Sequence, residues 1–409
     1  PSVPPPRAAL MPADSKERSP APRRSVARKP SETNASAPAA AQEKRKHSVN
    51  GMVDADYELG DKLGTGAFGV VVAAKSKLDG SGVAIKIIHK DRSSKELSPA
   101  EFAAQLDIVR NEIRVLEDIA KGGLSDAIIG FRGAYESKDK LYIVMDRADA
   151  ELAQIIEKNQ CLVSERDAQT VVRRVLEGVA YLHEHDYVHR DIKFENLLMM
   201  RAQDFGSVVL TDFGLASKTN EAASGECGTP LYMSPEIWTR NSMAHGPKVD
   251  IWAVGIITHI LLCGHHPVKA RSVEELKAKV CVDRLELSFP EGVPELAQDF
   301  VRRLLTIDPI SRPAAKDALA HPWLTGQTDS SLHESVVEMM RAYVAELRLK
   351  SGFFTVQATT RVRKLSELAR KQMEAEQAEA GAGSGAGAGA GASASSTGRT
   401  VAAASSSDS

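Results

Sequence analysis

The spacing of hydrophobic residues changes along the chain, and the change separates a strand-rich region from a helix-rich one. Apolar and polar residues alternate over 57–63, and short apolar, largely β-branched runs occupy 70–74, 83–88 and 141–145. Alternation with a period of two and short β-branched runs are typical of β-strands. We therefore predict a strand at each of these places.

Helical spacing dominates elsewhere. Apolar residues recur every three or four positions over 102–119 and 171–183, a buried helix is predicted from residue 249, and the pattern returns over 332–350. This spacing places the apolar side chains on one face of a helix. The predicted order of elements is strands with one long helix among them, followed by the other helices.

The two ends of the chain have a different composition. Residues 1–52 are rich in Pro, Ala, Ser, Arg and Lys and lack aromatic residues, so we expect a disordered basic tail. This tail is either inert, docks an acidic partner, or carries regulatory phosphorylation. Gly, Ala and Ser repeats mark the other end as low in complexity. The predicted domains are a folded domain at 57–324 with lobes at 57–145 and 149–324, a helical tail at 330–375, and a low-complexity end at 376–409.

Composition restricts the class of protein. The formal net charge is −2, which gives no basic field for nucleic acid, and no apolar run is long enough to span a membrane. The four cysteines have no paired spacing, which argues against a zinc site or a disulfide framework. We expect a reducing compartment, the cytoplasm or alternatively the nucleus.

Two short motifs carry candidate chemistry. Val188 to Asn196 reads V-H-R-D-I-K-F-E-N, and Asp212 opens D-F-G directly after an apolar run. Together they are typical of the centre of a protein kinase, where Asp191 accepts the proton of a substrate hydroxyl and Lys193 holds the γ-phosphoryl group. Asn196 and Asp212 are the candidate Mg²⁺ ligands.

A glycine-rich segment precedes these motifs. Its glycines lead into a β-branched run rather than a helix, which favours a hairpin over phosphates and excludes a dinucleotide-binding turn, and no Gly-Lys-Ser/Thr closes a Walker motif. The residues expected at the ATP phosphates are Leu63, Gly64, Thr65, Gly66, Ala67, Phe68, Gly69, Val70 and Val71.

Lys86 lies within an otherwise apolar strand, where a charge needs a partner. We predict an ion pair with Glu112 on the following helix, with Lys86 also reaching the α- and β-phosphates. The rest of the predicted nucleotide site is Ala84, Met145 at the back of the adenine pocket, Asp146, Ala148, and either Glu151 or Asp149 at the ribose.

Residues 57–324 resemble eukaryotic-type serine/threonine protein kinases, and the G-T-P-x-Y run at 228–232 and the H-P-W run at 321–323 resemble the calcium/calmodulin-dependent group. The resemblance implies a bilobal α+β fold, with a small, mostly β lobe that contains one regulatory helix and a larger, mostly α lobe. It also implies phosphorylation of protein hydroxyls with ATP and Mg²⁺. It also implies that Thr229 contacts Asp191 and Lys193, that Glu236 pairs with Arg312, and that Asp250 bonds to the catalytic-loop backbone.

The sequence departs from the family pattern at three positions. Phe194 stands where the family usually has Pro, Ser234 where it has Ala, and Gly225 at the usual phosphorylation position. In the family, the residue matching Arg190 holds that phosphate. Here Glu226 or Glu221 could act as a fixed anion, or Ser224 could be phosphorylated.

Carboxylates and the tail suggest specificity and regulation. Glu195, and Glu151 as a second candidate, would line the substrate groove and favour Arg three residues before the target Ser or Thr. The tail from 330 resembles an autoinhibitory, calmodulin-binding segment, with Leu349 or Phe353 and Val362 or Leu365 as anchors. A helix packed permanently on the large lobe is the alternative. Autophosphorylation of Ser366 is a further expectation.

A second class of function is a regulatory scaffold that binds nucleotide with little turnover. ATP-dependent phosphorylation of an Arg-rich peptide, with Asp191→Asn as the control, separates the two.

Overall fold

The computed structural model describes residues 53–66, 68–90, 98–123, 125–160, 163–219, 228–239, 246–282, 285–326 and 336–347. The predictions for Ala67, for residues 1–52, for the activation-segment positions 221–226 and for the tail beyond 347 lie outside the described residues.

The first part of the chain forms a five-stranded antiparallel sheet in the order β1-β2-β3-β5-β4. Its strands are β1 Tyr57–Gly66, β2 Gly69–Ser76, β3 Gly82–His89, β4 Phe131–Glu136 and β5 Lys140–Asp146, and a short helix, α1, covers Val53–Asp56 before them. The glycine-rich segment forms the β1–β2 hairpin, which ends at the pair Gly66 and Gly69. A Cβ atom on Gly69 would lie 2.1 Å from the Ile87 carbonyl oxygen, so only glycine allows β2 to approach β3 this closely.

Helix α2, Pro99–Gly122, is longer than the predicted helix at 102–119. Ser98 and Glu101 form a capping box at its start, and Pro99 occupies the first turn, where its missing N–H is not needed. The buried face contains Val109, Glu112, Val115, Leu116 and Ile119. Ile113, which the sequence predicted for this face, is only half-buried.

The second part of the chain is helical. Its described helices are α3 Leu152–Lys158, α4 Glu165–Glu184, α5 Pro235–Trp238, α6 Lys248–Cys263, α7 Val273–Val280, α8 Glu295–Leu304, α9 Ala315–Leu319, α10 Pro322–Thr325 and α11 at 336–347. Helix α4 begins before the predicted residue 171 because Ser164 and Asp167 form a capping box. Helix α6 is almost entirely buried and forms the centre of this lobe.

Short strands position the functional loops. β6 Ala150–Glu151, β8 Leu197–Met199 and β9 Val208–Leu210 form one small sheet, and β7 Tyr187–Val188 pairs with β10 Ser217–Lys218. β8 and β9 are antiparallel, with Leu197 opposite Leu210. This register places the residue before β8, Asn196, beside the segment that follows β9.

Helix α11 confirms the helical periodicity of the tail over 336–347. Its buried residues are Val336, Val337, Met340, Tyr343, Val344 and Leu347, whereas Met339, predicted for this face, is half-buried. The start of α11 packs on Gly264, the left-handed residue that ends α6 (φ 74°). A Cβ atom there would lie 2.5 Å from the Val336 carbonyl oxygen. Among the described residues, no helix combines the length and apolar character needed to cross a bilayer.

Candidate active site

Asp250 on α6 holds the catalytic loop, residues 188–196, in place through hydrogen bonds to its backbone. Its buried carboxylate accepts hydrogen bonds from the backbone N–H groups of His189 (2.9 Å) and Arg190 (2.8 Å), and its Oδ2 lies 2.9 Å from His183 Nε2. Burial favours the neutral carboxyl, but these hydrogen bonds and the neighbouring histidines outweigh it and hold the pKa of Asp250 below its usual value. The support matters because Arg190 has a left-handed backbone (φ 66°), which is unfavourable for a residue other than glycine.

Four predicted catalytic residues meet around the carboxylate of Asp191. Thr229 Oγ1 donates to Asp191 Oδ1 at 2.8 Å, and Lys193 Nζ donates to Asp191 Oδ2 at 2.8 Å. Lys193 also donates to Thr229 Oγ1 at 3.1 Å, and Asn196 Nδ2 lies 3.3 Å from Asp191 Oδ2. Asp191 is only 4% exposed. A carboxylate held by three donors has a fixed direction, which is what a base that must meet a hydroxyl requires.

Asn196 and Asp212 come from the two neighbouring chain segments at the end of the small sheet. Thr211 N–H donates to the Asn196 carbonyl oxygen at 3.1 Å, and Asn196 Nδ2 donates to the Asp191 carbonyl oxygen at 2.8 Å. The amide nitrogen of Asn196 is therefore used within the loop, which leaves its Oδ1 as the atom for a cation. Asp212 is left-handed as well (φ 64°).

The donor set fits Mg²⁺. Within the described residues, no group of three or more His, Cys, Asp or Glu side chains could hold a metal by itself. One amide oxygen and one carboxylate match the usual coordination of Mg²⁺. This ion is commonly bound by one or two protein ligands, and phosphate and water oxygens complete its coordination shell.

The predicted ion pair between Lys86 and Glu112 is present, with Nζ and Oε2 2.6 Å apart and side chains that are 12% and 2% exposed. Burial alone would lower the pKa of Lys86, but the carboxylates of Glu112 and Asp212 more than offset it and hold that pKa above its usual value. Lys86 therefore stays charged and couples β3, α2 and the Asp212 segment.

Asn111 was missed as a site residue by the sequence reasoning, although it precedes Glu112. Its Nδ2 donates to the carbonyl oxygens of Gly214 at 3.2 Å and Ala216 at 2.8 Å. Helix α2 is thereby tied to the chain after Asp212. Asparagine on a helix surface gives no local signal for a contact 103 residues away in sequence.

The predicted phosphate-facing residues lie on two strands and their turn. Leu63, Gly64, Thr65 and Gly66 belong to β1, Gly69, Val70 and Val71 belong to β2, and Phe68 lies in the turn between them. Val71 is paired with Lys86 across the sheet, and Ala84 is paired with Met145. These pairs place the hairpin, the lysine strand and the end of β5 side by side.

Residues 146–148 join the two lobes as a hinge, and the carboxylates in the hinge and just after it have different surroundings. Asp146 accepts from Arg132 Nε at 2.5 Å, so its carboxylate is turned toward β4, and Ala148 follows it in an irregular segment. The carboxylate of Asp149 accepts from the Ala202 N–H at 3.0 Å, while Glu151 lies on β6. Of the two ribose candidates left open by the sequence, Asp149 is already engaged by the large lobe.

The segment beyond Thr229 is anchored in the large lobe. The carboxylate of Glu236 forms a two-pronged pair with Arg312, at 2.8 and 3.1 Å, as the sequence predicted. Arg312 Nε also donates to the Thr306 carbonyl oxygen at 3.0 Å. With both partners buried, this pair fixes the end of the segment that begins at Thr229.

Helix α11 contacts both the segment beyond Thr229 and the catalytic loop. The hydroxyl groups of Tyr343 and Tyr232 are 3.1 Å apart, and the Tyr343 ring lies edge-on to Phe194, with centroids 6.1 Å apart. Both oxygens of Glu195 are buried and have no hydrogen-bond partner among the described residues. Burial raises the pKa of Glu195, with Lys193 opposing the shift.

The fold and these contacts define a class, and comparison with known proteins agrees. The protein kinase domain family matches residues 57–324, more than half of the chain, so the chain belongs to the protein kinase family. Calcium/calmodulin-dependent protein kinase type 1 of Macrobrachium nipponense is 35% identical over 329 residues, which cover 78% of this chain and 90% of the relative. The type 1B kinase of Homo sapiens is 34% identical, with coverage of 81% and 94%.

Within the family, the chain is a serine/threonine protein kinase of the calcium/calmodulin-dependent type. Among solved structures, the twitchin kinase region of C. elegans has a TM-score of 0.64 and 25% identity, and the match covers 74% of this chain and 51% of that one. The family resemblance, the bilobal α+β fold and the enzyme class expected from the sequence are confirmed. Protein kinases in general use ATP and Mg²⁺.

Proposed function

We propose that this kinase transfers the γ-phosphoryl group of ATP to Ser or Thr hydroxyls that follow an upstream arginine, and that α11 restrains it. The observation that carries the proposal is the carboxylate of Asp191, which Thr229, Lys193 and Asn196 hold in one direction. A phosphoryl transfer requires positioning and charge neutralisation more than covalent chemistry.

Each residue at the centre has a separate task. Asp191 orients the substrate hydroxyl and accepts its proton, and Lys193 holds the transferred phosphoryl group through the transition state. Asn196 Oδ1 and Asp212 would hold Mg²⁺, which neutralises phosphate charge when bound. Lys86, kept charged by Glu112, binds the α- and β-phosphates.

Nucleotide binding involves the strands and the hinge. The hairpin residues 63–71 cover the phosphates, Ala84 and Met145 line the adenine pocket, and the backbone of Asp146 and Ala148 reads the adenine edge. Glu151 is the better candidate for the ribose hydroxyls, because Asp149 is bonded to Ala202. These roles are tested by ATP-dependent phosphorylation of a serine peptide. A chain that binds ATP but transfers no phosphate would favour a nucleotide-binding scaffold instead.

The preference for arginine is supported by Glu195. A buried carboxylate without a partner is costly, and a guanidinium group from a bound peptide would supply two hydrogen bonds and the opposite charge. A charge-assisted hydrogen bond contributes about 1.5–3 kcal/mol, so replacing Arg by Ala three residues before the target should lower kcat/KM by about ten- to a hundredfold.

The control for this preference is a pair of variants. Glu195→Gln should lose most of the discrimination between the Arg and Ala peptides, whereas Glu291→Gln, an exposed carboxylate elsewhere on the large lobe, should keep it. Equal rates of the wild type on both peptides would reject the proposed preference.

Autoinhibition is supported by the position of α11. Tyr343 contacts Tyr232 of the Thr229 segment and Phe194 of the catalytic loop, next to Glu195. A substrate arginine and α11 would therefore compete for one surface. Removing the chain after residue 330 should raise the basal rate. An unchanged rate would mean that α11 is a permanent part of the lobe.

Calmodulin is the proposed partner of the tail, because the relatives above are named as calcium/calmodulin-dependent kinases. The proposed anchors at 349–365 lie outside the described residues. Titration of fluorescent calmodulin with the full chain should show calcium-dependent binding that is lost in a chain ending at residue 347. A cytoplasmic location, with the nucleus as the alternative, also stays a proposal and rests on the unpaired cysteine spacing.

A further inference from the structure

His266 lies in the loop that follows α6 and is hydrogen-bonded to the segment beyond Thr229. Its Nε2 is 2.7 Å from the carbonyl oxygen of Leu231. Its Nδ1 is 3.1 Å from the Val268 nitrogen and 2.8 Å from the Val268 carbonyl oxygen. The Val268 N–H donates to Nδ1, so Nδ1 is an acceptor, and Nε2 carries the hydrogen that is donated to the Leu231 carbonyl oxygen.

The loop that carries His266 is itself anchored. His259, fully buried on α6, has Nδ1 3.0 Å from the His265 carbonyl oxygen and Nε2 3.2 Å from the Ser288 carbonyl oxygen. Gly264 at the start of the loop packs against the backbone of α11. These contacts hold the loop in place and thereby fix the position of His266 beside Leu231.

Leu231 belongs to a single turn that starts at the catalytic cluster. The Tyr232 N–H donates to the Thr229 carbonyl oxygen at 2.9 Å, and the Met233 N–H donates to the Pro230 carbonyl oxygen at 3.2 Å. The Thr229 hydroxyl, two residues before Leu231, donates to Asp191. A hydroxyl that reaches Asp191 comes close to Thr229, and the peptide that carries it therefore comes close to this turn. A displacement of Leu231 would shift the surface that receives the peptide.

We propose that His266 is a positioning residue for the peptide substrate, which holds the turn 229–232 in place through the Leu231 carbonyl group. The inference rests on the proposed phosphorylation of protein hydroxyls and assigns a residue that sets the affinity for the peptide. The proposed ATP contacts lie in the other lobe, in the hinge, at Glu151 and in the loops of Lys193, Asn196 and Asp212. None of them lies in the turn 229–232 that His266 holds, so the affinity for ATP does not depend on His266.

The test compares three substitutions in the full chain. His266→Leu removes the donor, His266→Gln keeps an N–H donor at similar reach, and His89→Leu is a matched change at an exposed histidine of the small lobe. Loss of one buried hydrogen bond is worth about 0.5–1.5 kcal/mol, so His266→Leu should raise the KM for a serine peptide about three- to tenfold. Its kcat and its KM for ATP should change by less than about twofold.

The remaining variants decide the cause. His266→Gln should return the peptide KM toward the wild-type value, and His89→Leu should leave it unchanged. The inference is overturned when the wild type phosphorylates the peptide and His266→Leu has the same peptide KM, or when the KM values for ATP and peptide rise together. A wild type without phosphate transfer would instead refute the proposed function.

A second measurement tests the inference even when His266→Leu is inactive or does not fold. Long-range ¹H–¹⁵N spectra of the wild type should contain one imidazole with a protonated Nε2 that is absent from His266→Gln. Its resonances should shift when the unphosphorylated serine peptide is added, because the peptide binds against the turn. Resonances that stay in place at saturating peptide would overturn the inference without any turnover assay.

Discussion

Removing the hydroxyl group of Tyr343 should weaken the hold of α11 on the large lobe. Tyr343 is 8% exposed, and its hydroxyl lies 3.1 Å from that of Tyr232. Tyr232 also hydrogen-bonds to the backbone of Phe194, so in Tyr343→Phe it keeps one partner. The cost is then that of one ordinary hydrogen bond, about 0.5–1.5 kcal/mol, rather than the larger penalty of an unpaired buried hydroxyl.

This loss should appear as basal activity. When the open state is a small fraction of the enzyme, about 1 kcal/mol raises that fraction, and the basal peptide phosphorylation rate, about fivefold. Tyr343→Ala also removes the ring that packs on Phe194 and should release α11 more fully, since truncation of a buried aromatic side chain costs up to about 3–5 kcal/mol. Glu338→Gln, on the exposed face of the same helix, is the control and should leave the rate unchanged.

A double-mutant cycle isolates the contact. Tyr232→Phe and Tyr343→Phe should each raise the basal rate, and together they should raise it by less than the product of the two effects. Each rate is divided by that of the same substitution in a chain ending at residue 330, so that any effect of Tyr232 on catalysis cancels. If the two effects multiply fully, or if Tyr343→Phe has no effect, then the contact of α11 with Tyr232 does not restrain the kinase.

Two further predictions concern stability. Arg312→Leu leaves the buried carboxylate of Glu236 without its cation and should lower the free energy of unfolding, measured in urea, by about 3–5 kcal/mol. Arg303→Leu, in an exposed pair with Asp299, should lower it by less than about 1 kcal/mol. Equal losses for the two variants would contradict the structural role of the buried pair. Burial lowers the pKa of His259 from 6.5 to about 4, so the unfolded chain binds the extra proton between these pH values and stability is lost as the pH falls through that window. Across it, the wild type should lose about 3 kcal/mol more than His259→Gln, and parallel curves of unfolding free energy against pH would show that His259 is not the group responsible.

The sequence predicts those parts of the site whose cause is local. Lys86 in an apolar strand requires a carboxylate, and the spacing of Asn196 and Asp212 requires two short strands that bring their loops together. The start of α2 was misplaced, although Ser98, Pro99 and Glu101 carry the signature of a helix N-terminus. The apolar periodicity alone begins only at residue 102, after this N-terminal signature.

The contacts between distant segments could not be predicted. Periodicity over 332–350 indicates that α11 buries one face, but not which surface it covers. Tyr343 and Tyr232 are 111 residues apart in sequence, and no pattern in either segment identifies the other. A single histidine in a loop is equally uninformative, because the partner of His266 is a backbone carbonyl group, which every residue has. Such contacts follow only from the packed lobe.

The role of Asp191 in phosphoryl transfer is tested most directly by comparing two Asp→Asn substitutions. The assay measures transfer of radiolabelled phosphate from ATP to an arginine-containing serine peptide. Asp191→Asn keeps the shape of the side chain but removes the proton acceptor, and general-base assistance is worth about 10²–10⁴-fold. Asp139→Asn, on an exposed turn of the small lobe, changes the same group away from the site. Asp191→Asn should lose at least about a hundredfold in kcat, whereas Asp139→Asn should keep the wild-type value. Equal rates for the two variants would contradict the central role of Asp191.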